Sequence, residues 1–297
     1  YQGLFDENVE LAKIDDLNSS DAIVVWSEDL KEKIPVLYLR IRQAVKNGVK
    51  LVVFGHTNET LSDIADVFYG KETVSENFEI VKDVSKLKDI KDLVIGKNIT
   101  AILGKSTPYQ SDESVTKLFE FLNSNANPKV LNAYSKGNTY GAFQTLKNVK
   151  GLNDFVNDIS KESTDLLFIV GADPVGRSVY SNQIKSIIKD IDTVVALDNF
   201  NHETSELSNY VIPMSSTLGE KEGTFTNIEF RTSRIDKLVP SPGQTVSDWE
   251  FITSLMNFAG LTVETNSLEE LNKKAYENLD ASLSPVFDNL DKPSNLD

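Results

Sequence analysis

Two acidic loops carry the side chains best placed for chemistry. Gly171-Ala172-Asp173-Pro174-Val175-Gly176-Arg177 follows the apolar run Asp165 to Val170, and Asp198-Asn199-Phe200-Asn201-His202-Glu203-Thr204 follows Thr193 to Leu197. In open parallel sheets, ligands collect at the carboxyl ends of strands. Gly171 allows close backbone approach, Pro174 sets the turn, and Asp173 can accept from a sugar hydroxyl or a guanine N–H. Asp198 lies in the equivalent place on the second loop, and His202 beyond it can cap a helix or contact a cofactor. A third segment, Gly219 to Asn227, has two glycines for unusual backbone angles and Thr224, Thr226 and Asn227 for hydrogen bonds. Arg231 and Arg234 can pair with Glu220 and Glu222 or with a phosphate. Gly171, Asp173, Asp198, His202, Gly223, Thr224 and Asn227 are therefore the candidate binding residues. Each has a plainer reading as a turn residue, a helix cap or part of a turn that holds its own geometry. Glu203 and Glu206 read as a solvated acidic first turn that complements the helix dipole.

Other chemistries are excluded. Gly171 and Gly176 lack the third glycine of a dinucleotide fingerprint. Gly104-Lys105-Ser106 needs a glycine at position 99 to make a phosphate-binding loop, and that residue is Ile99. No GxSxG occurs. With Cys 0, the chain has no disulfide, thiolate zinc site, Cys-held iron–sulfur cluster or cysteine nucleophile. Its two histidines, His56 and His202, are far apart, and His56 has only Glu59 nearby. No metal ligand set and no catalytic residue is assigned.

The elements that must position these loops follow an α/β pattern. Apolar strand-like runs at Asp21–Trp26, Lys50–Gly55, Thr100–Gly104, Lys129–Asn132, Asp165–Val170 and Thr193–Leu197 are separated by helical periodicities. Those fall at Lys33–Asn47, Glu59–Val67, Lys82–Leu93, Ser111–Asn123 and Asn182–Asp190. Successive βαβ units predict a parallel, doubly wound (Rossmann-like) sheet. Tyr134–Asn148 reads as a loop, and Val246–Ala259 and Leu268–Leu279 as helices. Ala281–Asp297 reads as a frayed or disordered tail. The expected division is a first α/β region at 1–150, a second at 151–265 and a C-terminal helix and tail at 266–297. Net charge is −15 over 297 residues, which opposes nucleic acid and anionic lipid. No apolar run nears the roughly 20 residues that span a bilayer. The chain opens on Tyr1, and the expectation is a piece of something longer.

The order of motifs from Leu197 to Arg234 (strand, Glu203-Thr204, Val211-Ile212-Pro213, Glu220-Lys221-Glu222-Gly223-Thr224-Phe225-Thr226-Asn227, arginine) resembles the molybdopterin oxidoreductase superfamily. Pro35-Val36-Leu37-Tyr38-Leu39-Arg40-Ile41-Arg42, Asn138-Thr139-Tyr140-Gly141-Ala142, Pro240–Gly243 and Asp248-Trp249-Glu250 extend the likeness. They resemble most the large iron–sulfur subunit of NADH:quinone oxidoreductase, complex I. That resemblance implies a cofactor-free structural region with iron–sulfur clusters (2Fe-2S and 4Fe-4S) elsewhere in the parent protein. It further implies partners in the peripheral arm of complex I and a cytoplasmic place on the inner face of the membrane without insertion. The alternatives are part of a molybdopterin-dependent oxidoreductase of the formate dehydrogenase type, and a free-standing nucleotide-binding protein. In pterin-binding relatives the Gly171–Arg177 loop would hold the nucleotide tail. One departure bears on this: Trp26-Ser27-Glu28-Asp29-Leu30 stands where a Gly-x-Asn-Pro type loop is usual, and its carboxylates would repel a pyrophosphate.

Overall fold

The computed structural model describes residues 10–26, 29–54, 59–69, 88–104, 112–134, 136–145, 151–159, 164–217, 219–261, 263 and 267–271. The chain divides into two compact units. The first is Tyr1–Tyr140 with Thr226–Arg231, and the second is Gly141–Phe225 with Thr232–Asp297.

In the first unit the strands are β1 (Glu10–Leu11), β2 (Ala22–Trp26), β3 (Lys50–Phe54), β4 (Val67–Tyr69), β5 (Asn98–Leu103) and β6 (Asn127–Asn132). They form one sheet in the order β1-β6-β5-β2-β3-β4, with every pairing parallel. Strands buried on both faces are continuously apolar, which is why β2 and β5 stand out in the sequence. Ala22, Val24 and Trp26 pack to one side with Ile90, Val94, Leu118 and Leu122. Ile23 and Val25 pack to the other with Leu37, Ile41 and Ala44. Helices Lys88–Val94 and Asp112–Asn125 supply the first layer, and helix Pro35–Lys46 the second. The fold is thus α/β with a parallel, doubly wound sheet. The order reverses between β2 and β5, which makes their carboxyl ends the switch point.

Several boundaries differ from the sequence reading. The helix expected over Glu59–Val67 stops at Ser62, because Val67-Phe68-Tyr69 joins the sheet beside β3. Asp66 anchors that turn, accepting from the Leu51 amide at 2.9 Å and Lys50 Nζ at 2.8 Å. The segment expected as a loop contains helix Thr139–Thr145. Its Thr- and Gly-containing sequence has weak helix propensity, and helices this short depend on tertiary context. Of the helix expected at Lys82–Leu93, only Lys88 onward lies among the described residues. Two-residue β1 is too short to show a period.

The second unit holds β7 (Leu166–Val170), β8 (Thr193–Asp198) and β9 (Tyr210–Pro213), parallel and in that order. Helices Leu152–Ile159 and Ser181–Asp190 cover one face, where Val156, Ile169, Ile184, Ile188 and Val194 cluster. The opposite face carries the small cluster Val195, Leu197 and Met214 with Ile212 and Phe251. Leu166, Phe168 and Val170 on β7 are left exposed. The hairpin β10 (Gly223–Thr226) and β11 (Thr232–Ile235) follows. Its turn, Thr226–Arg231, groups with the first unit: Ile228 packs on that core, the Thr226 amide donates to Asn138 Oδ1 at 2.8 Å, and the Ile14 amide donates to Glu229 Oε1 at 2.9 Å.

The helix expected from Val246 begins at Asp248 with a Ser247/Glu250 capping box, and Val246 instead bridges to Met214. None of its residues is fully buried. Phe251 meets Phe168 with ring centroids 6.4 Å apart, while Phe258 is 92% exposed. Residues 268–271 are helical. The rest of the helix expected to Leu279, and the tail Ala281–Asp297, lie outside the described residues. Among the described residues no helix is long and apolar enough to cross a membrane.

Candidate functional site

Gly171, Asp173, Asp198 and His202 gather at the carboxyl end of the three-stranded sheet. Strand β7 delivers Gly171, whose φ of +61° is left-handed; an added Cβ would meet Met214 Cε at 3.4 Å. Asp173 caps the short helix Pro174–Arg177, with Oδ1 accepting from the Gly176 amide at 3.0 Å. A methyl on Gly176 would collide with that carboxylate, so the glycine sets where Asp173 sits. Asp198 ends β8 and folds over its own turn, Oδ1 accepting from the amides of Asn199 at 2.7 Å and Phe200 at 3.1 Å. Asx turns of this kind are local in origin.

His202 joins the two loops. As N-cap of helix Glu203–Glu206 it accepts the Ser205 amide on Nδ1 at 3.3 Å, while the Ser205 hydroxyl accepts the His202 amide at 2.8 Å. An Nδ1 that accepts leaves the proton on Nε2, which lies 3.0 Å from Asp198 Oδ2. The same Nδ1 is 3.4 Å from Asp173 Oδ1. Thr204, fully buried, completes the link: its hydroxyl donates to Asp173 Oδ1 at 2.7 Å and accepts the Val175 amide at 3.0 Å. Burial pushes the Asp173 carboxyl up. The Thr204 and Gly176 hydrogen bonds, with His202 nearby, outweigh it and hold Asp173 below its ordinary value. The side chains of Asp173, Asp198 and His202 are 13%, 10% and 15% exposed.

The other candidates lie elsewhere. Gly223 and Thr224 belong to β10. Asn227 holds the hairpin turn, Oδ1 accepting from Glu229 at 2.9 Å and Arg231 at 3.0 Å. The Gly219–Asn227 segment is also braced from outside. Glu220 accepts the Ser216 amide at 2.7 Å, Lys221 pairs with Asp248 at 2.9 Å, and Ser241 of the Pro240–Gly243 stretch donates to the Glu220 carbonyl at 3.2 Å. Arg234 sits 2.7 Å from Asp236 and 4.0 Å from Glu222. Thr204 and Ser205, both buried, escaped the sequence reading. Hydroxyls in a helix's first turn after a strand-end aspartate were the available signal. His56, Ser27, Glu28, Lys105 and Ser106 lie outside the described residues. Among the described residues no group of His, Asp and Glu could hold a metal ion.

The first unit's sheet end is different. Trp26 closes β2 and Asn132 closes β6, both in register with Leu103. Among the described residues, Trp26 Nε1 and both amide atoms of Asn132 are buried without a hydrogen-bond partner. Buried polar atoms in native proteins are paired in the great majority.

The molybdopterin oxidoreductase family matches this chain over residues 3–258. The chain belongs to that family. The alpha subunit of F420-dependent formate dehydrogenase 2 from Methanococcus maripaludis is 33% identical over 147 residues, 47% of this chain and 22% of that protein. The alpha subunit of the NADPH-Fe(3+) oxidoreductase of Geobacter sulfurreducens is 31% identical over 108 residues, 36% of this chain and 13% of that one. The assimilatory nitrate reductase catalytic subunit of Bacillus subtilis is 34% identical over 94 residues, 32% and 13% of the two chains. The alignments thus span less than a quarter of these curated relatives. Among solved structures, acetylene hydratase from Pelobacter acetylenicus superposes with a TM-score of 0.51 at 13% identity, over 93% of this chain and 51% of that one. That likeness concerns the fold alone. The finer sequence expectation was the large iron–sulfur subunit of complex I; these curated relatives are named as formate dehydrogenase, NADPH-Fe(3+) oxidoreductase and nitrate reductase subunits.

The family implies a molybdopterin group. Both oxygens of Asp198 and Oδ1 of Asp173 accept hydrogen bonds from the chain itself, so neither carboxylate offers two free oxygens to such a group as it stands.

Proposed function

We propose that this chain is a segment of a molybdopterin-dependent oxidoreductase of the formate dehydrogenase type. It serves there as α/β framework, and the redox centres are held by other parts of the protein. The observation that carries this reading is the family match over residues 3–258, seconded by the formate dehydrogenase relative at 33% identity. A chain with Cys 0 supplies no thiolate for a cluster, so under this reading no electron step runs through its own residues. Its contribution is to hold strand ends and loops in place. The test is metal and pterin analysis of the full-length parent protein together with a formate oxidation assay. Stoichiometric molybdenum with activity is expected; a parent with iron–sulfur clusters and no molybdenum or pterin overturns it.

A second reading has its own observation. The internally hydrogen-bonded Asp173–His202–Asp198 cluster favours a cofactor-free region of a protein like the large iron–sulfur subunit of complex I, packed among its neighbours in a peripheral arm on the inner face of the membrane. In that case the parent supports NADH-to-quinone electron transfer through clusters elsewhere. Co-purification with NADH:quinone activity and without molybdenum supports it; formate-dependent turnover removes it.

A further inference from the structure

We infer that the hairpin tip Thr226–Arg231 is a strap that closes on the first unit as one cooperative piece, held shut by burial against a strained turn, and that it opens before the first unit's core unfolds. This holds whichever parent protein the chain is a segment of. After Tyr140 the chain returns to the first unit only for Thr226–Arg231. Among the described residues, the two non-glycine residues with left-handed backbone are Asn138 (φ +60°) and Phe230 (φ +63°), and both belong to this junction. Asn138 Oδ1 accepts the Thr226 amide at 2.8 Å. Phe230 ends the loop Ile228-Glu229-Phe230: the Asn227 amide donates to the Arg231 carbonyl and the Phe230 amide to the Asn227 carbonyl, each at 3.0 Å. The last place of such a hairpin loop is left-handed and ordinarily glycine. Asparagine tolerates that conformation, whereas a bulky ring there is an outlier that persists only where its surroundings enforce it.

Those surroundings belong to the first unit. Phe230 is 8% exposed, Ile228 packs against the core that contains Leu37 and Ile41, and Glu229 Oε1 accepts the Ile14 amide at 2.9 Å. Once Ile228 and Phe230 leave, the burial that offsets the left-handed cost is gone. The loop then relaxes, and the bonds to Asn138 and Ile14 are lost together. Pieces held by few apolar contacts open at the low end of a protein's range of local stabilities. Opening also changes a candidate binding residue. Asn227 Oδ1 accepts from the Glu229 and Arg231 amides while the loop is formed, and it is released to other donors when the strap opens.

The test is amide hydrogen exchange on the full 297-residue chain, read at Ile14 and Thr226 and, for the core, at Val24 and Val25 of β2. In the unaltered chain the Ile14 and Thr226 amides should be protected equally, within about threefold, and at least about tenfold less than the β2 amides. Glu229→Ala removes the Ile14 acceptor and should lower protection at Thr226. Asn138→Gly keeps the left-handed backbone, removes the Thr226 acceptor and should lower protection at Ile14. Each crossed effect should be about threefold or more. Glu229→Gln keeps an acceptor oxygen and should stay near the unaltered chain. Phe230→Ala and Phe230→Gly both remove the ring, but only glycine takes the left-handed angle freely, so the alanine chain should lose about fivefold more protection at both amides. Independent exchange of Ile14 and Thr226 overturns the strap, as do absent crossed effects or an alanine chain protected as well as the glycine one. If the variants do not fold, the unaltered chain decides alone: matched protection below that of β2 supports the strap, and mismatched or core-level protection overturns it.

Discussion

The two sheet ends place polar side chains in similar positions and treat them oppositely. At the end of β2 and β6, Trp26 Nε1 and the Asn132 amide are buried with no partner among the described residues. At the end of β7 and β8, Asp173, Asp198, His202, Thr204 and Ser205 satisfy one another. Polar residues at a strand end point to a ligand when hydrogen-bonding capacity is left over, and by that measure the conspicuous acidic loops are the less open of the two ends. Packing divides the units in the other direction. The first buries both faces of its sheet, while the second leaves Leu166, Phe168 and Val170 of β7 exposed.

The largest effect should separate the two cores. Phe54 is fully buried and stacks with Trp26 at 5.4 Å and Tyr69 at 4.8 Å. Phe54→Ala should lose about 3–5 kcal/mol by chemical denaturation. Phe168→Ala, at 36% exposure, should lose about a third as much or less. Equal losses would break the contrast in packing.

Next comes the contrast between satisfied and orphaned groups. Asp198→Ala strips the acceptor from two amides and from His202, and should cost about 2 kcal/mol. Asn132→Leu replaces an unpartnered buried amide with a side chain of similar size. It should leave stability unchanged or raise it by about 1 kcal/mol. A large loss in the Asn132 variant would show that the amide has a partner after all.

A smaller effect is the pH dependence of the hydrogen bonds around Asp173. Asp173 is held below its ordinary value of 3.8, so the folded state binds fewer protons than the unfolded state as pH falls past that value. The stabilisation is full above the unfolded value and is lost as pH drops through the lower folded one. Denaturation midpoints between pH 2 and 6 (a window of about two units either side of the ordinary carboxylate range) should fall more steeply with acid in the unaltered chain than in Asp173→Asn. Parallel slopes would remove Asp173 from the network. The smallest effect belongs to Arg234→Ala: both it and Asp236 are more than half exposed, and the change should stay below about 1 kcal/mol.

Much of the fold was legible because its signal is local. β2, β3, β5, β7 and β8 are mainly apolar runs; β2, buried on both faces, is apolar throughout, while β7 keeps the same pattern with one face exposed. Helix Pro35–Lys46 shows its period and its proline start within its 12 residues. Val67 was read as the end of a helix because the three residues Val67–Tyr69 carry no period; pairing with β3 decided it. Helix Thr139–Thr145 was missed for a related reason, since its residues favour a turn. In the site, Asp173 and Asp198 could be picked out as strand-end carboxylates. Thr204 and Ser205 showed only as hydroxyls in a helix's first turn, because nothing in their type says that they are buried.

From the sequence alone came the alternation of strands and helices, the family likeness of the Leu197–Arg234 motifs, and the lack of any thiolate for a metal. The three-dimensional arrangement decided that His202 faces Asp198 and Asp173 rather than solvent, and that Trp26 Nε1 and the Asn132 amide are left without a partner among the described residues. Periodicity and composition are properties of neighbours along the chain. Hydrogen-bond satisfaction depends on atoms brought within about 3 Å from separate loops, and only the folded geometry can assign it.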